Sequence, residues 1–491
     1  MSDSFNTGAT GRRSMANMNS SHPHTTGLAG QAPATIQQQG LPPGPPCRFF
    51  GLPELRAMGP DYLGFLQAQQ RQHGDVVYMR LAQYRDYSFF HPEQVRELLV
   101  ATHEGLIRWE RGIECMASAH GHSVLIAEGE AWARKRRMLQ PGFSPKKVAA
   151  FASLMVQASE EALATWPQEA VADLPFEHAM TQLTMDVILR TLFSSRADAQ
   201  AREAEQALRT LSVIAYREMF WPLSAPLWAP WKAPKRRALK VLNQLIEGQI
   251  AARRAHLAAG GEDQPDLLDM LLKLQDENGQ PLSDAELRDE CMTTFLAGHE
   301  TSAGALTWWG WCMATHPDAA AQAAAEVDAQ LAGRKPSVED IAHMPFLGQT
   351  IKEALRLYPP APALLTRRSS QPLDIAGWHL PKGSMLRITP YLMHRDARWF
   401  PEPEAFKPER FGPEASEIPR GAYMPFGAGP RVCLGQHFAL TEITLIAALL
   451  LQRYRLEPVP GAEAPRPTLN ITLRPHEPLR LRLRRRGTEK K

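Results

Sequence analysis

The sequence lacks the features that mark several large classes of protein. It has only five cysteines among 491 residues, an odd number with scattered spacing, which argues against a disulfide framework and favours a reduced, cytoplasmic protein. Its formal net charge of +3 is too small to indicate a nucleic-acid partner. No internal repeat is evident, and no linker divides the long chain into separate domains. Because 44% of the residues are hydrophobic, the chain can bury a large core.

The first 41 residues differ from the rest in composition. They are rich in Ser, Thr, Gln, Gly, Asn and His without hydrophobic periodicity, so we expect a disordered tail over residues 1–41. A stiff proline-rich segment then leads into a folded domain, expected over residues 42–487. No run of about 18 apolar residues precedes that segment, so no transmembrane anchor is expected. A targeting role for the tail stays open, because Asp3 is its single acidic residue.

A glycine-rich loop at residues 426–435 carries the strongest chemical signal. It reads Phe-Gly-Ala-Gly-Pro-Arg-Val-Cys-Leu-Gly and stands before an apolar helical pattern that includes Phe438. Backbone N–H groups and a helix N-terminus can hold Cys433 as a thiolate, which can ligate a metal ion. The glycines leave room for a large flat group against the backbone. Taken alone, the loop could equally be a turn with a buried structural cysteine.

The full spacing Phe-x-x-Gly-x-Arg-x-Cys-x-Gly resembles the haem-binding loop of the cytochrome P-450 family. The positions that carry it are Phe426, Gly429, Arg431, Cys433 and Gly435. The resemblance extends from about residue 42 to the C-terminus. It implies a single-domain, mainly α-helical fold with a small β region, haem b as the cofactor, and the Cys433 thiolate as the axial ligand of the haem iron.

A long apolar helix expected over residues 286–315 contains an unusual polar pair. Glu300 and Thr301 follow the small residues Ala297 and Gly298, and a buried acid–alcohol pair is costly unless it serves a function. The pair could instead face solvent on a polar side of the helix. The pattern is similar to the oxygen-binding helix of the family, which implies that Glu300 and Thr301 are catalytic and that Ala297 and Gly298 adjoin the cofactor.

A second helix, expected over residues 346–357, carries Glu353 and Arg356 on one face. Such pairs are common on protein surfaces and are worth little there. This one looks like the Glu-x-x-Arg motif of the family, which is buried and joined by an arginine from a later loop, here Arg410. The resemblance implies a structural network that positions the cysteine loop.

Haem has two propionates, which need hydrogen-bond donors. Trp132 and Arg136 resemble the Trp-x-x-x-Arg helix motif of the family, and arginine suits carboxylates because it can bind them in bidentate fashion. The resemblance also places Arg367 at a propionate, with the adjacent Arg368 as the alternative, and Arg431 as a third donor. Each would be an ordinary surface arginine if taken alone.

The coarse secondary structure agrees with a mainly helical fold. Helical patterns dominate residues 92–357, including a helix over 316–331. Strand-like alternation is found at 75–81, 85–90, 374–380 and 385–389.

Two further segments bear on partners. The helix around Trp132 is basic, and although such clusters usually only face solvent, this one could dock an acidic electron donor; its members are Arg134, Lys135, Arg136, Arg137, Lys146 and Lys147. The segment from Met219 to Trp231 is unusually aromatic, which fits core packing, a bulky apolar substrate or contact with a membrane surface.

The resemblance implies a haem-thiolate monooxygenase that hydroxylates an apolar small molecule with O2, with a fatty acid or a terpenoid favoured. Too few residues follow Cys433 for a reductase domain, and no iron–sulfur cysteine set is present, so electrons are expected from ferredoxin or flavodoxin with its reductase. A peroxide-driven hydroxylase is the alternative, and the Glu300-Thr301 pair argues against it. A haem-based sensor is a further alternative, but no output domain is visible.

Overall fold

The computed structural model describes residues 40–220 and 225–487, and α-helices form most of these residues. The helices are α1 Leu52–Met58, α2 Tyr62–His73, α3 Pro92–Arg96, α4 Glu110–His120, α5 Gly129–Leu139, α6 Pro145–Thr165, α7 Phe176–Phe193, α8 Ala199–Phe220, α9 Ala233–Ala258, α10 Leu267–Lys273, α11 Asp284–Thr315, α12 Pro317–Leu331, α13 Pro345–Leu357, α14 Pro390–Met393 and α15 Gln436–Arg453.

The strands are short and fall into four small sheets. They are β1 Val76–Leu81, β2 Tyr84–Phe89, β3 Leu106–Arg108, β4 Val171–Leu174, β5 Arg367–Ser369, β6 Leu373–Ile375, β7 Trp378–Leu380, β8 Met385–Ile388, β9 Tyr454–Pro458, β10 Pro467–Asn470, β11 Thr472–Pro475 and β12 Leu481–Arg485. The largest sheet has the order β1-β2-β8-β5-β3, in which β2 and β8 are parallel and the other pairs are antiparallel.

The long helix α11 confirms the prediction for residues 286–315. It begins at a capping box, in which the Glu286 N–H donates to Ser283 Oγ (3.3 Å) and the Ser283 N–H donates to Glu286 Oε2 (3.0 Å). It ends at Thr315, because Pro317 has no N–H to continue the ladder and instead starts α12. The helix therefore extends through the molecule without interruption.

Helix α11 forms the centre of the core. It packs against α4, α7, α9, α13 and α15, and its two adjacent tryptophans are fully buried. Trp308 stacks on Tyr358 with ring centroids 4.1 Å apart and donates its indole N–H to Leu473 O (3.1 Å). Because the buried indole has a hydrogen-bond partner, it supplies apolar area without a desolvation penalty.

The segment predicted as one strand over residues 374–380 is instead the hairpin β6–β7. Ala376 and Gly377 both adopt positive φ angles, 54° and 81°, which suit the two-residue turn of a tight hairpin. The predicted strands at 75–81, 85–90 and 385–389 are confirmed as β1, β2 and β8. The prediction omits β3, β4 and β9–β12, because most of these strands are too short to show alternation.

The described residues form one compact unit, and the predicted mainly α-helical fold with a small β region is confirmed. The predicted tail, apart from residues 40 and 41, lies outside the described residues. None of the described helices combines the length and the apolarity needed to cross a membrane.

Candidate active site

The cysteine loop contains a 3-10 turn at Gly429–Arg431, and Cys433 lies between this turn and the start of α15. The Cys433 N–H donates to Phe426 O at 3.0 Å, which closes the loop. Gly427 and Gly429 have φ angles of 76° and 74°, and a Cβ added at Gly429 would lie 2.0 Å from Leu99 O. Glycine is required at 429 because the loop backbone packs directly against the backbone of a neighbouring segment.

The Cys433 side chain is exposed toward a cavity in the protein interior. Burial of the loop raises the pKa of the Cys433 thiol, and the Gly435 N–H and the Arg136 guanidinium lower it only in part. Arg136 also donates to Val432 O at 3.0 Å, beside the sulfur. Without a metal ion the thiol is therefore favoured, and a bound cation is needed to hold the thiolate.

The cavity has a volume of about 470 Å³ and separates the cysteine loop from α11. Most of its wall is apolar. The predicted site residues among its lining are Trp132, Arg136, Ala297, Gly298, Glu300, Thr301, Arg367, Phe426, Arg431, Cys433 and Gly435. Residues from four separate segments thus meet at one cavity, whereas Gly429 contacts Leu99 outside it.

The two members of the acid–alcohol pair have different partners. Thr301 is half-buried, and its hydroxyl donates to Ala297 O at 2.8 Å. Glu300 is buried, accepts a hydrogen bond from Thr472 Oγ1 at 2.8 Å and lies 2.8 Å from Arg474 Nη2. The alternative that this pair faces solvent is wrong for Glu300. Its partner Arg474 was missed, because it comes from the distant strand β11.

Gly298 serves close packing of helices. A Cβ added there would lie 2.7 Å from Ile188 Cδ1 of α7. The small residue therefore lets α7 approach α11, although Gly298 also lines the cavity. Its predicted place beside a cofactor stays a prediction.

Three arginines at one end of the cavity have too few negative partners. Arg431 lies 2.6 Å from Glu128 Oε2, and Arg108 lies 3.7 Å from the other oxygen of the same carboxylate. Arg367 donates to a backbone carbonyl. Burial, followed by repulsion from the other arginines, lowers the pKa of Arg108 to about 8 and that of Arg367 to about 10.

Arg108 was missed by the sequence reasoning, although it pairs directly with Arg367 across the antiparallel strands β3 and β5. Like charges in that position are unfavourable without an anion between them. The Arg108 Nε and Nη1 atoms are buried and have no hydrogen-bond partner within the part of the chain that the structure describes. A group with two carboxylates, such as haem with its propionates, fits this surplus of buried donors.

Arg367 and Arg368 differ in their surroundings, which favours Arg367 as the arginine beside the cavity. Arg367 lines the cavity, whereas Arg368 is bound by the exposed carboxylate of Glu110. Trp132 completes the wall, since the Arg431 guanidinium lies over its ring at 4.3 Å from the centroid.

The chain matches the family model for cytochrome P450 over residues 42–482. It belongs to the cytochrome P450 family. Cyclooctatin synthase of Streptomyces melanosporofaciens is 36% identical over 412 residues, which cover 82% of this chain and 88% of that protein. Cyclooctat-9-en-7-ol 5-monooxygenase of the same organism is 35% identical, covering 79% and 84%. Pentalenene oxygenase of Streptomyces avermitilis is 31% identical, covering 84% and 90%.

The predicted haem-binding family and the predicted enzyme class are therefore confirmed: the chain is a cytochrome P450 monooxygenase. Members of this family bind haem, take electrons from redox partners and act on apolar substrates. The surplus of buried arginine donors, the cysteine that opens on the cavity and the apolar wall fit that cofactor and that chemistry.

The Glu353–Arg356 pair lies in the core of this P450, where both side chains are fully buried. Arg356 bonds both carboxylate oxygens at 2.7 and 2.8 Å and donates to three backbone carbonyls, those of His394, Pro403 and Ala405. The Arg410 guanidinium adds a contact to Glu353 at 3.2 Å. The pair therefore connects α13 to the long loop before Cys433.

His394 extends this network to the cysteine loop and was not predicted. Its Nδ1 donates to Arg356 O at 3.1 Å, and its Nε2 accepts the Met424 N–H at 2.9 Å. Burial lowers the pKa of His394 to about 3, so the neutral ring can both donate and accept. A bonded path thus leads from α13 to the residue two positions before Phe426.

Several side chains of the basic cluster on α5 and α6 form ion pairs within the protein. Arg134 lies 2.7 Å from Asp276 and 3.0 Å from Glu286. Lys135 is buried against Glu286 at 3.1 Å. Its exposed members are Arg137, Lys146 and Lys147, so a docking surface would be smaller than the sequence suggests.

The aromatic segment before α9 is only partly described, since residues 221–224 lie outside the described residues. Trp228 and Trp231 expose 76% and 72% of their surface. Core packing therefore does not explain these two side chains.

Proposed function

We propose that this P450 hydroxylates a terpenoid, with O2 as the oxidant and haem b as the cofactor. The three relatives above are named for cyclooctatin, cyclooctat-9-en-7-ol and pentalenene, and the apolar cavity beside Cys433 suits such molecules. Among these observations, the one that carries the proposal is that Cys433 opens on a large apolar cavity. The proposed P450 domain covers residues 42–487, after a tail at 1–41.

The haem iron, when bound, supplies the activation of O2, and the protein residues hold and serve it. Cys433 would supply a thiolate ligand to the iron. Arg108, Arg367 and Arg431, with Trp132 and Arg136, would bind the propionates at the end of the cavity where buried donors lack partners. Phe426, Gly429 and Gly435 shape the cysteine loop. Ala297 and Gly298 border the cavity on its opposite side, along α11.

Thr301 and Glu300 would handle protons on the α11 side of the cavity. The Thr301 hydroxyl donates its hydrogen to Ala297 O. Its oxygen can therefore act only as an acceptor toward a group in the cavity. Glu300 would provide the ionisable group, held in place by Thr472 and Arg474. A peroxide-driven enzyme would not need this pair, so O2 is the favoured oxidant.

Electrons would come from ferredoxin or flavodoxin with its reductase, docked on the cysteine side of the molecule. We also propose a cytoplasmic location for this P450, because all five of its cysteines are free.

The axial ligand tests the proposal. In Cys433→Ser we expect little haem and loss of the red-shifted carbon monoxide band that a thiolate ligand produces. Cys115 lines the same cavity, so Cys115→Ser is the matched control and should keep the band. A normal band in Cys433→Ser would refute the assignment. Product formed from a terpenoid with NADPH and a surrogate reductase, but not from a fatty acid, would support the substrate class.

A further inference from the structure

A histidine at the far end of the cavity is held in one orientation. His120 is the last residue of α4 and lines the cavity. Its Nδ1 lies 3.0 Å from Thr293 Oγ1 on α11, and the Thr293 hydroxyl donates to Ser123 Oγ at 2.7 Å. In the arrangement in which the Thr293 hydroxyl donates to Ser123, Nδ1 carries the proton that it shares with Thr293.

The opposite nitrogen is therefore an acceptor. Burial lowers the pKa of His120 to about 4, and the carboxylates of Glu300 and Asp289 offset this only in part, so the ring is neutral at neutral pH. With Nδ1 protonated, Nε2 has a lone pair. In residues 40–220 and 225–487 the hydrogen bond of the His120 ring is the one at Nδ1, and the residue lines the cavity. Nε2 is therefore the ring nitrogen to which a ligand in the cavity can donate.

We propose that His120 Nε2 accepts a hydrogen bond from a hydroxyl group of the substrate. The proposal rests on the proposed monooxygenase function and narrows its substrate class to an apolar molecule that is already an alcohol. The rest of the lining supplied by α4 and α8 is mainly apolar, with Met116, Leu208 and Leu211 among its members. A histidine nitrogen in such a wall can orient a largely apolar substrate through one directional contact.

The position of His120 sets the spacing between the two ends of the substrate. Thr293, to which His120 is bonded, precedes Thr301 by eight residues on the same helix, a rise of about 12 Å. The carbon that is oxidised near Thr301 therefore lies roughly that far from the hydroxyl. A reaction that introduces oxygen, by hydroxylation or by addition of water, must then supply this substrate.

Imidazoles that carry an alkyl tail can test the distance between the haem iron and His120 without knowledge of the substrate. 1-Alkylimidazoles bind haem iron through nitrogen and shift the haem band, and their tails can end in a methyl or a hydroxyl group. We expect one tail length at which the hydroxyl compound binds the wild-type holoenzyme more tightly than its methyl counterpart. In His120→Phe the ratio of the two dissociation constants at that length should fall about tenfold.

Matched variants distinguish the effect of the hydrogen bond from that of the size and shape of the side chain at position 120. His120→Gln offers an acceptor again and should restore part of the ratio, and His120→Leu gives a second apolar variant. Thr294 also lines the cavity, so Thr294→Val should leave the ratio unchanged. Equal ratios in wild type and both apolar variants would overturn the proposal, as would a wild type that never prefers a hydroxyl tail. If no imidazole shifts the haem band at all, the proposed haem function itself fails.

Discussion

At the scale of single residues, Thr301 and Glu300 are neighbours in the chain but have separate places in the cavity wall. Glu300 is held by Arg474 and Thr472 from β11, whereas Thr301 bonds only its own helix among the described residues. A change at Thr301 therefore disturbs little besides the hydroxyl itself. Removal of the Glu300 charge would also leave Arg474 without its closest partner.

Thr301→Ala should keep haem, the thiolate band and substrate binding, because it removes only a hydroxyl beside the cavity. Proton delivery should lose its order, so NADPH use should continue while hydrogen peroxide accumulates and product per NADPH falls several-fold. Product, peroxide and NADPH are measured together.

Thr307→Ala is the control for this change. Thr307 makes the same bond to the carbonyl four residues earlier, at 2.7 Å, but it is buried and does not line the cavity. Coupling should stay normal in that variant. Normal coupling in Thr301→Ala as well would assign proton delivery to ordered water or to the substrate.

At the scale of elements, the cysteine loop depends on a neighbouring helix for its position. The Glu353–Arg356 pair of α13 holds the backbone of the long preceding loop, and His394 passes that restraint to Met424. Both charges are fully buried, and a buried charge without its partner is strongly destabilising.

Glu353→Ala should therefore lose about 3–5 kcal/mol of stability and give mostly haem-free protein. Haem content and melting temperature report the effect. The exposed pair of Glu277 and Arg137, 3.5 Å apart, offers the control, and Glu277→Ala should cost less than about 1 kcal/mol. Equal stability of the two variants would show that the buried network does not support the loop.

A second buried carboxyl, that of Glu442 on α15, lies near Ser302 of α11. Glu442 is fully buried, and its oxygens have no hydrogen-bond partner among the described residues. Burial raises the pKa of Glu442 to about 8, and the Ser302 hydroxyl lowers it only in part. The folded protein thus binds this proton more tightly than the unfolded chain, so stability falls as the pH rises from about 4.5 to 8.

Glu442→Gln removes this dependence because glutamine cannot ionise. Relative to wild type, we expect the melting temperature of the variant to rise by about 3 °C between pH 5 and pH 8. Glu277→Gln, at an exposed position, should show no such trend. A difference that stays constant with pH would mean that Glu442 ionises as in the unfolded chain.

At the scale of the whole molecule, the distribution of charge determines where an electron-donor protein can dock. The chain has a net charge of only +3, so a docking site for an acidic protein must be a local patch. Arg134 and Lys135 are engaged by carboxylates, while Lys146 and Lys147 are exposed at the start of α6.

Reversal of both lysines, Lys146→Glu with Lys147→Glu, should slow reduction by ferredoxin several-fold at low salt and flatten its salt dependence. Stopped-flow reduction under carbon monoxide measures the rate. Lys382, exposed in the turn between β7 and β8, provides a charge-reversal control that should be nearly neutral. If all variants are reduced at the same rate, the donor docks elsewhere.

The sequence alone determined those parts of this P450 that are encoded within one short segment. The Cys433 loop, the course of α11 and the Glu353–Arg356 pair each depend on spacing over a few residues or on helical periodicity. The cofactor-binding role of Gly429 stays a prediction, whereas the structure shows that its backbone packs against that of Leu99.

Only the tertiary structure decided which distant residues complete the site. Arg108 faces Arg367 because β3 and β5 pair, Thr472 reaches Glu300 across 172 residues, and His120 meets Thr293 where α4 crosses α11. A single arginine or histidine in a short strand or at a helix end has no periodic signal. Its role depends on burial and on the charges around it, and these arise only when the chain folds.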